Sequence, residues 1–79
     1  MRTINRLIIH CTATPRGRHV SVTEIDRWHK ARGFDSIGYH YVIYLGGSVH
    51  GGRPIERLGA HCRGYNATSI GIAYVGGLD

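Results

Sequence analysis

The stretch Leu7-Ile8-Ile9-His10-Cys11-Thr12 runs branched apolar residues straight into a histidine. Such a run is the pattern of a strand buried on both faces. It would deliver His10 to the edge of a sheet, where a pocket can open. A neutral imidazole there can bind a metal, move a proton or hydrogen-bond a ligand; the plainer alternative is a strand-end histidine whose hydrogen bond is satisfied internally. Other residues invite chemistry from a distance. Tyr39 and His40 stand in Gly38-Tyr39-His40-Tyr41-Val42-Ile43-Tyr44-Leu45, and His61 and Asn66 stand in a polar, glycine-rich stretch over 58–68. Loops of that length inside compact domains are often functional. As residues alone, Tyr39 reads first as a strand aromatic with a solvated hydroxyl, while His61 is equally a polar loop residue and Asn66 equally a side chain that stabilises its own turn.

The elements that must position these residues follow from local patterns. Thr12-Ala13-Thr14-Pro15-Arg16-Gly17-Arg18 is loop chemistry, broken by Pro and Gly. Ser21-Val22-Thr23-Glu24 has the form of a capping box and predicts a helix over about 22–32. Ile25, Trp28 and His29 form its apolar stripe, with Trp28 and His29 read as core. Gly33 sits where a helix end needs a left-handed residue. Residues 38–45 read as a strand, Gly46-Gly47 as a two-residue hairpin turn, and 48–53 as the return strand. Pairing Leu45 with Ser48 places His50 opposite Ile43. Alternation puts Tyr39, Tyr41, Ile43 and Leu45 on one face and His40, Val42 and Tyr44 on the other. Residues 69–75 form a further strand, so the order is β-α-β-β-loop-β.

Composition sets the outer limits. The chain has 79 residues, one domain at most and near the lower limit for a self-sufficient core. Its 42% hydrophobic content argues for a globular fold. Two cysteines, Cys11 and Cys62, are too few for a disulfide scaffold, and without a C-x-x-C pair a zinc knuckle is not expected. Met1-Arg2-Thr3-Ile4-Asn5-Arg6 lacks the features of a signal peptide, and no run is long enough to span a bilayer. The expectation is cytoplasmic synthesis with no membrane association, any export using another route. The net charge of +5 favours polyanions such as nucleic acid, an anionic cell wall or a phospholipid surface. The positive charges are dispersed, with no basic helix face or aromatic-basic ladder, which argues against nucleic acid.

Four segments in register carry a family resemblance. They are Ile8-Ile9-His10-Cys11-Thr12-Ala13-Thr14, Gly38-Tyr39-His40-Tyr41-Val42-Ile43, Gly59-Ala60-His61-Cys62-Arg63-Gly64-Tyr65-Asn66 and Ser69-Ile70-Gly71-Ile72-Ala73-Tyr74-Val75-Gly76-Gly77. With the Trp28-His29-Lys30 helix, they resemble the zinc-dependent N-acetylmuramoyl-L-alanine amidases. This is the type 2 amidase family, which includes bacteriophage T7 lysozyme and the peptidoglycan recognition proteins. The resemblance implies an α/β fold, a mixed β-sheet flanked by helices. It implies hydrolysis of the amide between N-acetylmuramic acid and L-alanine in peptidoglycan, with action on the cell wall and a phage or prophage type. On its terms His10 matches the first zinc ligand. Tyr39 matches the tyrosine beside the zinc, which polarises the attacked carbonyl or assists the water. His61 and Asn66 match groove positions that contact the muramyl-peptide, and His40 matches a histidine next to the catalytic tyrosine. The chemistry suits these residue types. Zinc with an open coordination position lowers the pKa of bound water to about 7. A phenol can donate to the oxyanion, and losing such a donor costs on the order of 100-fold or more.

The family pattern also places a second histidine ligand, then a cysteine or aspartate, beyond the last strand seen here, along with two helices and a strand that cover the sheet. Residues 1–79 therefore read as the N-terminal portion of a single amidase domain, with an incomplete zinc site. His50, on the Tyr39 face, falls about 13 Å from Tyr39 at strand rise. His61 can approach His10, but two histidines do not make a three-ligand site, and Cys11 points to the opposite face. The expectation is weak zinc binding and little amidase activity, with a non-catalytic muramyl-peptide-binding module as the alternative. Loss of helical cover over Ile70, Ile72 and Val75 would leave an apolar patch and favour a homo-oligomer.

Overall fold

Both ends of the helix are closed by the residues expected to close them. In the computed structural model, which describes residues 2–79, α1 spans Val22–Ala31. The Glu24 N–H donates to Ser21 Oγ at 3.2 Å, and the Ser21 N–H donates to the Glu24 carboxylate at 3.4 Å, a reciprocal capping box. At the other end Gly33 takes φ +95°. Its N–H donates to the Lys30 carbonyl and that of Phe34 to the His29 carbonyl, both at 3.0 Å. This is the Schellman closure, and the Phe34 ring packs on His29 with centroids 5.1 Å apart.

The main sheet contains β1 (Arg6–Cys11), β3 (Tyr41–Ile43), β4 (Val49–Gly51) and β5 (Ser69–Tyr74), in the order β1-β5-β3-β4. β5 pairs in parallel with β1 and β3, whereas β3 and β4 are antiparallel, giving the mixed α/β sheet expected. Two short strands, β2 (Thr14–Pro15) and β6 (Gly77–Leu78), form a separate parallel pair. The core lies between α1 and one sheet face, around Val20, Ile25, Ile37, Val42 and Val75.

Several expectations are corrected. The hairpin has a three-residue loop, Leu45-Gly46-Gly47. The Gly47 N–H donates to the Tyr44 carbonyl and the Tyr44 N–H to the Ser48 carbonyl, both at 2.9 Å, and Gly47 takes φ +93°. A turn followed by a left-handed residue is the usual three-residue solution. It shifts the register by one, so that His50 faces Val42 rather than Ile43. A one-residue slip exchanges faces, and His50 stacks on Tyr44 at 3.6 Å on the side of Val42 instead of joining the face of Tyr41 and Ile43.

Alternation also breaks before β3. The His40 N–H donates to the Gly71 carbonyl while the His40 carbonyl accepts from the Gly52 N–H, both at 2.8 Å. One residue thus bonds to both sides, whereas in a regular antiparallel ladder both its groups face one partner. Tyr39 is released from the Tyr41 face and packs toward α1, against the core.

Finally, β1 is not buried on both faces. Leu7 and Ile9 are 63% and 60% exposed. They share a face with Ile70, Ile72, Tyr41 and Ile43 through the pairings Leu7↔Ile70, Ile9↔Ile72 and Tyr41↔Ile72. No element among the described residues covers that face. Val75 does not belong to it: Ser69, Gly71, Ala73 and Val75 share a parity and are all buried.

Two buried imidazoles tie this framework together. His29 Nδ1 accepts the Gly38 N–H at 2.8 Å. His40 Nδ1 accepts the Gly71 N–H at 3.1 Å, so its Nε2–H donates to the Arg57 carbonyl at 2.8 Å. Burial lowers the pKa of both. Protonation would remove both acceptors, so their folded-state pKa values lie below the unfolded value of about 6.5. Their contribution is complete above that pH and is lost as pH falls toward the folded values. Urea denaturation is expected to show a lower midpoint at pH 5 than at pH 7.5, and His29→Gln should flatten part of that slope. A midpoint unchanged by acidification would show that these rings do not carry the linkage.

Candidate functional site

Three separate segments bring their side chains to one place. β1 presents His10, which pairs through its backbone with Ala73 of β5 and so faces α1. The segment before β3 presents Tyr39, and the loop before β5 presents His61. The His10 ring centroid lies 5.3 Å from that of Tyr39 and 5.0 Å from that of His61. His10 Nε2 and His61 Nδ1 are hydrogen-bonded at 2.8 Å. His29 and His40 stand behind them, His29 at 5.3 Å from Tyr39 and His40 at 5.9 Å from His61.

The loop that carries His61 is held from below. Asn66 Oδ1 accepts the N–H groups of His61 and Cys62 at 3.0 and 2.9 Å, so its oxygen serves the turn. Gly59 and Gly71 keep the space for the ring. A Cβ built on Gly71 would run into the His61 imidazole, and one on Gly59 would strike both His61 and His40. Neither these glycines nor Ser69, which touches His61, was picked out from the sequence. Gly71 had a usable signal, since a glycine inside a strand marks close approach of another group; Ser69 had none.

A groove of about 260 Å³ opens beside the cluster, lined by Arg32, Phe34, His61, Arg63 and Asn66 among others. A cleft of about 110 Å³ on the other side of Arg32 is lined by Tyr39, Thr12, Trp28 and His29. Burial lowers the pKa of His10. Burial, then the neighbouring His10 and His40, pushes His61 down to about 4. Burial raises Tyr39. At neutral pH the cluster is therefore two neutral imidazoles beside a protonated phenol, a set that offers a lone pair and a hydrogen-bond donor.

His10, Tyr39 and His61 thus converge and Asn66 lies on the groove rim, whereas His50 and Cys11 lie apart. Cys11 pairs with Tyr74 on the far face and meets Gly77. His10 suits a metal as a single ligand: Nε2 is tied to His61, and Nδ1 has no hydrogen-bond partner among the described residues. Those residues contain no group of three His, Cys, Asp or Glu able to hold an ion.

The model of the N-acetylmuramoyl-L-alanine amidase family matches residues 1–78. The chain belongs to that family. An endolysin of Klebsiella phage KP32 is 43% identical over 75 residues, covering 95% of this chain and 50% of its own length. Among solved structures, the N-acetylmuramoyl-L-alanine amidase LysC from Clostridium intestinale is similar at TM-score 0.86 and 36% identity, over 95% of this chain and 48% of that one. Peptidoglycan recognition protein-LE, solved in complex with tracheal cytotoxin, a monomeric diaminopimelic acid-type peptidoglycan, is similar at TM-score 0.82 and 27% identity, over 96% of this chain and 48% of that one. This amidase-family chain spans about half the length of the relatives it matches.

In this amidase-family chain, Gly71→Ala is expected to push the His61 ring off its seat. The cost should be about 1–3 kcal/mol in urea denaturation, as for overpacking elsewhere, with loss of the nuclear Overhauser contacts between the His10 and His61 rings. An unchanged midpoint with those contacts intact would contradict the seating.

Proposed function

We propose that these residues form part of a peptidoglycan amidase site that hydrolyses the amide between N-acetylmuramic acid and L-alanine. The observation that supports this most is the convergence of His10, Tyr39 and His61, with His61 lining a groove, in a chain of the amidase family. Tyr39 is the catalytic donor: its phenol, kept protonated by burial, would donate to the oxyanion that develops at the attacked carbonyl. His10 would hold zinc through Nδ1, with the other ligands supplied from outside the described residues. A zinc ion there supplies an activated water and Lewis-acid polarisation of the carbonyl. His61 and Asn66 line the path of the muramyl-peptide. Arg32 and Arg63, which enter no ion pair among the described residues, give that groove a positive field suited to the acidic groups of a stem peptide.

A second reading is a muramyl-peptide-binding module without catalysis. It is favoured by the lack of a three-ligand group among the described residues. Retention on insoluble peptidoglycan, measured beside clearing of a turbid cell-wall suspension, tests the two together. These 79 residues are expected to be retained with little clearing. In any preparation that clears, Tyr39→Phe should lower the rate on the order of 100-fold and leave retention unchanged. A chain that is not retained would count against both readings.

The uncovered sheet face supports one more proposal, that it packs against a second copy of the chain. Leu7, Ile9 and Val49 on that face are all at least 60% exposed, and neighbouring exposed apolar side chains of this kind favour association. Size-exclusion chromatography with light scattering is expected to give a dimer or larger species, and Ile9→Glu should return it to monomer. A wild-type monomer over a wide concentration range would rule this out. No helix among the described residues is long and apolar enough to cross a membrane.

A further inference from the structure

The hydrogen bonds behind His10 have a direction that can be read from their far end. Ser69 Oγ lies 2.7 Å from the Tyr65 carbonyl oxygen. A carbonyl cannot donate, so the single hydroxyl proton of Ser69 is committed there. The same Oγ lies 3.4 Å from His61 Nε2. With its proton committed, it can only accept, which places the His61 proton on Nε2. No carboxylate contacts either ring among the described residues, so a charged imidazole there would be uncompensated, and His61 keeps a lone pair on Nδ1. His10 Nε2, 2.8 Å away, must then be the donor. The remaining lone pair of the chain is on His10 Nδ1.

We propose that His61 and Ser69 are positioning residues. Together with the Tyr65 carbonyl they form a relay that fixes His10 as the Nε2–H tautomer and leaves its Nδ1 lone pair uncommitted. The proposal rests on the reading of His10 as a zinc ligand, because fixing a tautomer matters where a nitrogen must give its lone pair to an electrophile. Ligating histidines commonly donate their second ring N–H to an oriented partner, and losing that partner costs about 10–100-fold in metal affinity. Here the partner is itself a histidine, whose own tautomer is set one step further back by a serine that has no contact with the cleft. The geometry of the loop serves the same end. Asn66 fixes the backbone of His61, and Gly59 and Gly71 leave room for its ring and for no larger neighbour.

Long-range proton–nitrogen correlation on the ¹⁵N-labelled, metal-free protein at neutral pH reads the tautomers directly. His10 and His61 are both expected to carry the proton on Nε2. Ser69→Ala frees His61 to move its proton to Nδ1 and donate to His10, so the His10 signals should shift to a mixture of tautomers. Titration with Zn²⁺, followed at the His10 ring, should weaken by about tenfold in Ser69→Ala and His61→Leu. His61→Gln, whose side-chain oxygen can accept from His10, should restore it. Ring contacts between His29 and Tyr39 report in each variant that the fold is kept. A proton on His10 Nδ1 in the wild type overturns the relay, and a His10 tautomer indifferent to Ser69→Ala overturns the positioning role. If the tautomers are as expected but His10 does not respond to Zn²⁺, the zinc reading falls and the relay stands.

Discussion

The hydrogen bond between His10 and His61 exists because β5 carries no side chain at position 71. His61 arrives on a loop, and its ring lies where a Cβ on Gly71 would stand. Everything else in the cluster follows from that seat. The ring meets His10 on one edge and Ser69 on the other, and His40 closes the space behind while bonding the Gly71 N–H. One glycine in the central strand therefore serves both the sheet, through its backbone, and the site, through what it lacks.

The same strand explains why the site is neutral. β5 is flanked on both sides, and its helix-facing residues Ser69, Gly71, Ala73 and Val75 are buried. Imidazoles packed on that face lose hydration and keep the uncharged form, although the chain as a whole carries +5. Of the positive charges, Arg53 is itself buried and is compensated by Asp35. Arg53 and Arg57 share Asp35, whereas Arg32 and Arg63 border the groove. Neutral imidazoles beside a groove with a cationic rim suit a site that gives up a lone pair inside and attracts an acidic ligand outside.

The two faces of the sheet have different fates. α1 packs on one and builds the core and the cleft together, since Ile25 and His29 are buried residues of the helix and also line the cleft. The other face displays Leu7 and Ile9 to solvent. The apolar run of β1 is thus a strand with two apolar faces of which the described residues bury one, and the chain spans about half the length of its relatives.

Local chemistry was legible in the chain by itself. The capping box at Ser21, the left-handed Gly33, the helical stripe and the strand ending in His10 all depend on neighbours within a few residues, so residue type and spacing are enough. The family resemblance was legible for the same reason, as four short motifs in order. The tertiary structure alone decided how these pieces face one another. The His50 register turned on whether Gly47 joined the loop. The side taken by Tyr39 turned on His40 bonding in two directions at once. Which atoms the His61 ring would meet depended on a loop folding back onto a strand about ten residues further along. Those outcomes are set by hydrogen-bond partners and excluded volume contributed by distant segments, and no spacing along the chain encodes them.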